Sequence, residues 1–272
     1  MNFKNSIIAF GTIVMFLSCA TNPFTGNKTL AFVSNDQLFP SAFAQYNQFL
    51  TENKVVKDTP DAEMIKRVGQ RIAVAAERWL NANGHQGYLD DYKWEYNLVN
   101  DKTVNAWCMP GGKIVFYTGI LPIAQNETGV AAIMGHEVAH ALANHGQQRM
   151  SAAYIQQGIA VGGNLLLKDD KNLGIYNQAF GIASNVGGML PFSRSHETQS
   201  DEIGLRLMAI AGYNPDEAAE LWKRMKANSG GQAPPEFLST HPSNDTRIAN
   251  LTKWAPEAKA EARKFGITSF RE

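Results

Sequence analysis

The clearest hydrophobic pattern in the chain lies between Asp61 and Asn83. Apolar residues there recur at intervals of three and four positions, as they do on one face of an α-helix: Met64, Ile65, Val68, Ile72, Ala75, Ala76, Trp79 and Leu80. Asp61 follows Pro60 and is a suitable capping residue, and Gly84 favours termination. The pattern predicts an amphipathic helix over this range.

Three shorter segments have the pattern of β-strands. Residues 94–99 (WEYNLV) alternate between apolar and polar side chains, which is typical of a half-buried strand. Residues 105–109 and 113–117 are rich in apolar and aromatic side chains, and Pro110-Gly111-Gly112 lies between them. A proline followed by two glycines favours a tight turn, so these two segments are predicted to form a β-hairpin.

Helical patterns dominate the rest of the chain. They cover residues 128–144, 147–166, 173–190, 195–211 and 215–226, with a last helical region from residue 243. Gly146 is suitably placed to stop the first of these helices, and GGQAPPEFLSTHP (230–242) is typical of a loop. No linker divides the segments. We therefore predict an α+β fold that is mainly helical, with a small sheet.

The first 18 residues are typical of an export signal. MNFKNS carries one lysine, and the apolar stretch IIAFGTIVMFL is too short to span a bilayer. The ending Leu17-Ser18-Cys19 resembles a bacterial lipoprotein signal, in which the cysteine becomes the lipidated first residue. An ordinary secretory signal with an incidental cysteine and an uncleaved anchor are the alternatives. If Cys19 carries lipid, Cys108 has no disulfide partner within the chain and is expected to be a buried thiol.

Composition and charge narrow the possible partners. Apolar residues make up 44% of the chain and charged residues 18%, which is ordinary for a globular protein. Basic and acidic residues both number 25, so there is no net field that would attract nucleic acid. We expect no nucleic-acid role.

The stretch GHEVAHALANH (135–145) carries the clearest chemical signal. His136 and His140 lie four residues apart, about 40° around a helix, so both can direct a ring nitrogen at one cation. Glu137 lies about 100° away, close enough to reach a water on that cation without binding the cation itself. In zinc hydrolases the metal makes that water acidic and the glutamate accepts its proton. The spacing predicts a catalytic zinc site with Glu137 as the general base.

A catalytic zinc ion needs a third protein ligand, and His145 is the nearest candidate. If the helix continues, His145 lies about 140° from His140 and about 180° from His136, and therefore points away from the metal. We interpret His145 as a histidine at the helix C-terminus, where the helix dipole favours it.

Glu197 is the better candidate for the third ligand. It opens a predicted helix with Asp201 four residues later on the same face, and it would complete a set of two histidines and one glutamate. Asp201 could then orient a ligating histidine through the far ring nitrogen. A solvated helix face is the alternative for this pair, and His196 is a rival ligand.

The ordered set of motifs resembles the M48 metallopeptidases. It consists of HExxH at 136–140, ExxxD at 197–201, the segment 105–119, and Ser-Thr-His-Pro at 239–242 with Arg247, and the similarity runs roughly from Asn22 to Trp254. The resemblance implies a zincin-type (gluzincin) domain with a small sheet beside the HExxH helix and one zinc ion per chain. It implies His136, His140 and Glu197 as ligands, Glu137 as general base and Asp201 as their supporting residue.

Two further site residues follow from this resemblance. In related enzymes a strand edge beside the zinc helix takes the substrate in extended form, and Asn105 and Ala106 would lie along that edge. His241, in the predicted loop, could hydrogen-bond a developing oxyanion or could bind the open zinc position and hold the enzyme latent. Ordinary turn chemistry is the alternative for His241.

These inferences give an expected organisation and function. Residues 1–18 would be a lipoprotein signal peptide, 19–58 a lipidated arm packed on the domain, and 59–272 the M48-like metallopeptidase domain. We expect a zinc metalloendopeptidase, bound to the outer membrane through Cys19 and facing the periplasm, that cleaves unfolded or misassembled envelope proteins. A periplasmic chaperone or assembly factor with latent proteolytic activity is the alternative, and a structural zinc lipoprotein is a third possibility.

Overall fold

The computed structural model describes residues 19–156, 193–228, 236–241 and 245–272. The predicted signal peptide and the predicted helix at 173–190 lie outside these ranges, as does the second half of the helix predicted at 147–166. Within the described residues no helix is both long and apolar enough to cross a membrane.

The described residues form six strands: β1 Cys19–Thr21, β2 Lys28–Leu30, β3 Val55–Val56, β4 Glu95–Val99, β5 Ala106–Met109 and β6 Lys113–Tyr117. β1 and β2 form an antiparallel hairpin. The other four form a sheet in the order β3-β4-β6-β5, in which β4 and β6 are parallel. β5 and β6 pair antiparallel in the register Ala106 to Phe116, as the turn at residues 110–112 predicted. β5 is an edge strand of this sheet.

Helices make up most of the described chain: α1 Asn35–Glu52, α2 Pro60–Ala82, α3 Leu121–Ala124, α4 Glu127–Leu142, α5 His145–Gln156, α6 Arg194–Ile210, α7 Asp216–Asn228, α8 Glu236–Thr240 and α9 Asp245–Lys264. A short 3-10 turn, Thr118–Ile120, precedes α3. The predicted fold class, mainly helical α+β with a small sheet, is confirmed.

Several predicted boundaries need correction. α2 begins at Pro60 and is capped by Thr59, whose hydroxyl accepts a hydrogen bond from the Ala62 amide, so Asp61 is not the cap. α8 lies inside the segment predicted to be a loop. α4 ends at Leu142 rather than at residue 144, because Asn144 adopts a left-handed backbone conformation with φ 57°.

The central helix α4 is the most buried of the long helices in the described structure. Asn126 caps its N-terminus by accepting a hydrogen bond from the Gly129 amide. Nearly every residue of α4 is buried, including Val130, Ile133 and Val138. Helices α2, α6 and α7 pack around it and β5 lies along it. The HExxH sequence is therefore held in the middle of the core.

Candidate active site

Two helices bring the predicted ligands together. α4 carries His136 and His140, and α6 carries Glu197 and Asp201 on the face turned toward α4. The helices cross at Gly135 and Gly204, where a Cβ on Gly135 would lie 2.8 Å from the Gly204 carbonyl oxygen. Only glycine allows backbones to approach this closely, and this approach brings Glu197 to the histidines.

Four side chains converge on one point at this crossing. The Nε2 atoms of His136 and His140 lie 3.0 Å apart, and Glu197 Oε1 lies 3.2 Å from His140 Nε2. His241 Nδ1 lies 3.2 Å from His136 Nε2 and 2.9 Å from Glu197 Oε1. One ligand atom from each of the four residues lies within 4.8 Å of the others. All four side chains are buried.

The spacing and chemistry of these atoms fit a divalent metal ion. Ligand bonds of about 2.0–2.1 Å in a tetrahedral site place the ligand atoms about 3.3 Å apart, close to the distances observed. The two Nε2 atoms facing each other are electron-pair donors in neutral imidazole, and the Glu197 carboxylate is a third donor. Buried electron-pair donors that face one another are stable only when a cation or protons lie between them.

Asp201 lies behind the predicted ligands, next to His136. Its Oδ1 atom is 3.0 Å from His136 Nδ1, the ring nitrogen opposite the metal-facing Nε2. A carboxylate there accepts the Nδ1 proton and fixes both the tautomer and the orientation of the ring.

Arg247 links the two buried carboxylates of α6, Glu197 and Asp201. It donates to Glu197 Oε2 at 2.8 Å and to Asp201 Oδ1 at 2.6 Å, while its guanidinium carbon lies 3.4 Å from the centre of the Trp222 ring. A planar cation stacked on an aromatic ring has few alternative positions. Arg247 therefore holds Glu197 in place and balances its charge.

His145 does not occupy the position expected for it. It begins α5 rather than ending α4, it is fully buried, and its Nδ1 atom lies 3.0 Å from His140 Nδ1. It is not one of the four converging residues. The left-handed Asn144 turns the chain between the helices and so brings His145 behind His140. Burial lowers the pKa of His145 to about 3, so its ring is neutral.

Glu137 is next to the converging residues but is not one of them. Its Oε1 atom is buried and has no hydrogen-bond partner among the described residues, with His241 Nε2 3.6 Å away. Burial raises the pKa of Glu137, against the attraction of His241 and His136. A buried carboxylate oxygen that lacks a partner is suited to accept a proton from a water molecule beside it.

A cleft runs from Glu137 and His140 to the sheet. Its other wall is formed by Asn105, Ala106 and Cys108 at the edge strand. Asn105 and Ala106 are the residues predicted to bind substrate, and both line this cleft together with Glu137, the predicted general base. Cys108 was predicted to be a buried thiol. It is a free thiol and is half-buried, and burial raises the pKa of this thiol.

The electrostatics of His241 differ from those of the other histidines. Burial acts to lower its pKa, but the Glu197 and Glu137 carboxylates outweigh burial and raise it. In His140, burial dominates and lowers the pKa. The pKa of Glu197 is lowered despite burial because His241 and His140 lie against it. His241 is thus bound into the cluster by charge as well as by position.

An HExxH helix joined by a glutamate from a second helix is the arrangement of a zincin-type metallopeptidase. The family model described as Peptidase family M48 matches residues 61–255. The chain belongs to this family of metallopeptidases.

Curated relatives include both mitochondrial and bacterial proteins. The chain is 32% identical over 263 residues to the mitochondrial metalloendopeptidase OMA1 of Schizosaccharomyces pombe, covering 94% of this chain and 72% of the relative. It is 39% identical over 206 residues to OMA1 of Saccharomyces cerevisiae, covering 71% and 56%. It is 26% identical over 172 residues to the β-barrel assembly-enhancing protease of Escherichia coli, covering 61% and 35%. The chain thus spans about half or less of the length of several relatives.

The sequence pattern did not identify every residue that shapes the site. The Gly135–Gly204 contact joins residues 69 positions apart on two helices, and no local pattern marks it. The sequence HisGly at 145–146 followed by a helical pattern could have indicated that His145 starts a new helix. Arg247 was seen only as part of a family motif, because its partners are brought to it by three different helices.

Proposed function

We propose that the protein is a zinc-dependent metalloendopeptidase. The observation that carries this proposal is the buried, unpartnered Oε1 atom of Glu137, beside a converging set of two histidines and one glutamate and open to a cleft. Relatives named metalloendopeptidases support the same activity.

The residues of the chain divide the chemical work as follows. When bound, zinc supplies a Lewis acid that polarises a carbonyl and makes water acidic. His136, His140 and Glu197 would hold it, with Asp201, Arg247 and His145 fixing their orientation. Glu137 accepts the proton of the attacking water at Oε1, and its raised pKa lets it deliver that proton to the leaving amine.

The edge strand β5 offers a means of binding a polypeptide. An extended peptide can add to an unpaired strand edge through main-chain hydrogen bonds, which do not depend on the substrate's side chains. Asn105 and Ala106 lie at the start of this edge and line the cleft with Glu137. A substrate bound there would present a peptide bond to Glu137. Because this mode of binding requires an extended chain, it favours unfolded polypeptides over folded proteins.

The test compares wild type with Glu137→Gln for cleavage of casein, an unfolded protein. The amide keeps the shape of the side chain but cannot accept the proton, so we expect cleavage to fall by about 10²-fold or more. Zinc content should be unchanged, because Glu137 is not a ligand. Equal cleavage by the two proteins would refute the assignment.

We also propose that the substrates are unfolded or misassembled proteins of the bacterial envelope and that Cys19 anchors the enzyme to the outer membrane on its periplasmic side. The support is the lipoprotein-like ending before Cys19 and a set of relatives named β-barrel assembly-enhancing proteases. Mass spectrometry of the mature N-terminus tests the anchor. A lipid-modified Cys19 at the mature N-terminus is expected, and an unmodified N-terminus at another residue would rule out the anchor.

One observation favours a second candidate, a chaperone or assembly factor whose proteolytic activity is latent. His241 Nδ1 lies with the three proposed ligands, where it can fill the position that a substrate or water needs. In that state neither water nor substrate would occupy the position beside Glu137. Capture of an unfolded outer-membrane protein by the Glu137→Gln variant, measured as a stable complex, would support this holding function.

A further inference from the structure

A chain of side-chain contacts runs from the proposed ligand His140 to the amino-terminal hairpin. His140 Nδ1 lies 3.0 Å from His145 Nδ1, and His145 Nε2 lies 3.2 Å from Gln199 Oε1. The same Gln199 oxygen accepts a hydrogen bond from Asn22 Nδ2 at 3.4 Å. Asn22, His140 and His145 are almost fully buried. The hairpin formed by β1 and β2 is therefore connected to the metal centre through only two intervening side chains.

The direction of every hydrogen bond in this chain is fixed by its ends. His140 Nε2 faces the other ligands and must keep its lone pair to bind a metal, so the ring proton lies on Nδ1. His145 Nδ1 then accepts this proton, and His145 Nε2 carries a proton that it donates to Gln199 Oε1. An amide oxygen has two lone pairs, and Asn22 Nδ2 uses the second. With these proton positions, each of the three contacts pairs one hydrogen-bond donor with one acceptor.

Neighbouring groups hold the His145 ring in the plane that this chain requires. The ring stacks on His196 with a centroid separation of 4.3 Å and an interplanar angle of 15°. His196 is held in turn by Gln148, whose Oε1 lies 3.1 Å from His196 Nε2. The Ser200 hydroxyl lies 3.2 Å from the same His145 Nδ1 atom and packs against this side of the ring.

Asn22 organises the hairpin turn as well as reaching Gln199. Its Oδ1 atom accepts hydrogen bonds from the amides of Phe24, at 2.9 Å, and Thr25, at 3.3 Å. Its backbone bonds to Gly26 and Asn27 across the turn. The turn is docked on α2 by Phe24, which stacks on Trp79 with ring centroids 4.5 Å apart. The Nδ2 group of Asn22 is therefore presented to Gln199 by a rigid turn.

We propose that Asn22 and Gln199 are positioning residues for His140. In this arrangement the docked hairpin sets the orientation of the His140 ring through His145 and thereby sets the affinity of the site for its metal. The proposal rests on the metal site proposed above. A partner that bonds directly to a ligating histidine, as His145 does to His140, typically contributes about 10- to 100-fold in metal affinity, and Gln199 and Asn22 act one and two side chains further away.

The sharpest variant is Asn22→Asp. It keeps the oxygen that accepts from the Phe24 and Thr25 amides, but it loses the donor to Gln199. If the Gln199 amide rotates to meet the new carboxylate, its NH2 group faces the proton on His145 Nε2. Either arrangement breaks the chain while leaving the turn intact. Gln199→Leu removes the shared acceptor, and Gln199→Glu retains it.

The readouts are the zinc dissociation constant, measured by competition with a chromophoric chelator, and the visible absorption spectrum of the cobalt(II)-substituted protein. We expect Asn22→Asp and Gln199→Leu to bind zinc about 3- to 10-fold more weakly, less than loss of a direct partner of His140 would cause, and to show shifted cobalt bands. Gln199→Glu should bind like wild type. Asn27→Ala, on the exposed part of the same turn, and Thr198→Ala, on the exposed face of α6, are the matched controls and should leave both readouts unchanged.

Circular dichroism of the metal-free proteins shows whether each variant is folded, and so separates loss of folding from loss of ligand positioning. If Gln199→Leu fails to fold, the comparison of Asn22→Asp with Gln199→Glu still tests the proposal. Wild-type zinc affinity and an unshifted cobalt spectrum in Asn22→Asp would overturn the proposal. A wild-type protein that binds no zinc would instead refute the proposed function, so the two failures are distinguishable.

Discussion

Gly135 and Gly204 face each other where the two ligand-bearing helices cross. A Cβ on Gly204 would lie 2.9 Å from the His136 amide nitrogen and 3.0 Å from the Gly135 carbonyl carbon. Both of these are backbone atoms, which cannot move aside as the end of a flexible side chain can. The distance between Glu197 and the HExxH histidines therefore depends on two residues that carry no functional group.

We predict that Gly204→Ala separates α4 from α6 and weakens metal binding. Alanine gains about 1 kcal/mol over glycine in a helix interior, but overpacking against fixed backbone costs about 1–3 kcal/mol. The free energy of unfolding, measured by urea denaturation without metal, should stay level or fall, while zinc affinity falls. Thr198→Ala is the control on the same helix. Unchanged zinc affinity in Gly204→Ala would show that the crossing distance is not critical.

Removal of zinc should lower the stability of the protein. A ligand that binds only the folded state stabilises it by about 4 kcal/mol when its free concentration is about a thousand times Kd. We expect a chelator to lower the melting temperature of wild type and of Glu137→Gln, which keeps all its ligands. Glu197→Ala should melt at the same temperature with or without chelator. A shift of similar size in Glu197→Ala would exclude Glu197 from the ligand set.

Substitution of His241 should distinguish its two possible roles. If His241 occupies the open ligand position in about nine molecules of ten, His241→Ala should raise kcat/KM for casein by about tenfold, because the competent fraction rises. Zinc content should not change, since His136, His140 and Glu197 remain. A fall in kcat, with KM unchanged, would instead assign His241 to the stabilisation of developing charge.

Glu127 is predicted to make stability depend on pH. This first residue of α4 accepts hydrogen bonds from Arg67, from Arg71 and, at 2.7 Å, from the Tyr213 hydroxyl. The Arg67 hydrogen bond is the main cause that holds its pKa below the usual range, against partial burial. A lowered folded-state pKa means that the stabilisation is present above the unfolded pKa of about 4.3 and is lost as the pH falls through the folded value.

The measurement is the free energy of unfolding of wild type and Glu127→Gln in urea. With chelator present throughout, metal release does not contribute. We expect wild type to be more stable by about 1 kcal/mol near pH 7 and the difference to shrink as the pH falls from about 5 toward about 3. A difference that stays constant over this range would mean that the Glu127 charge does not stabilise the fold.

The local pattern of residues predicted much of the secondary structure and half of the candidate site. The helix at Pro60–Ala82, the hairpin at residues 106–117 and the HExxH helix all follow from spacings of two, three or four residues. The boundary of α4 was wrong because one residue in a left-handed conformation, Asn144, ended the helix before Gly146. Helix periodicity alone cannot detect such a turn, and for this reason His145 was predicted at the C-terminus of the HExxH helix rather than behind His140 at the start of α5.

The chemistry of His136, Glu137 and His140 could be inferred without coordinates, because a helix fixes the relative directions of side chains one turn apart. What joins Glu197, His241 and Arg247 to them is the packing of separate helices, which depends on contacts between residues distant in sequence. The Gly135–Gly204 crossing and the link from Asn22 through Gln199 and His145 to His140 belong to this second kind. They exist only after burial has brought the elements together, so they were found in the folded molecule.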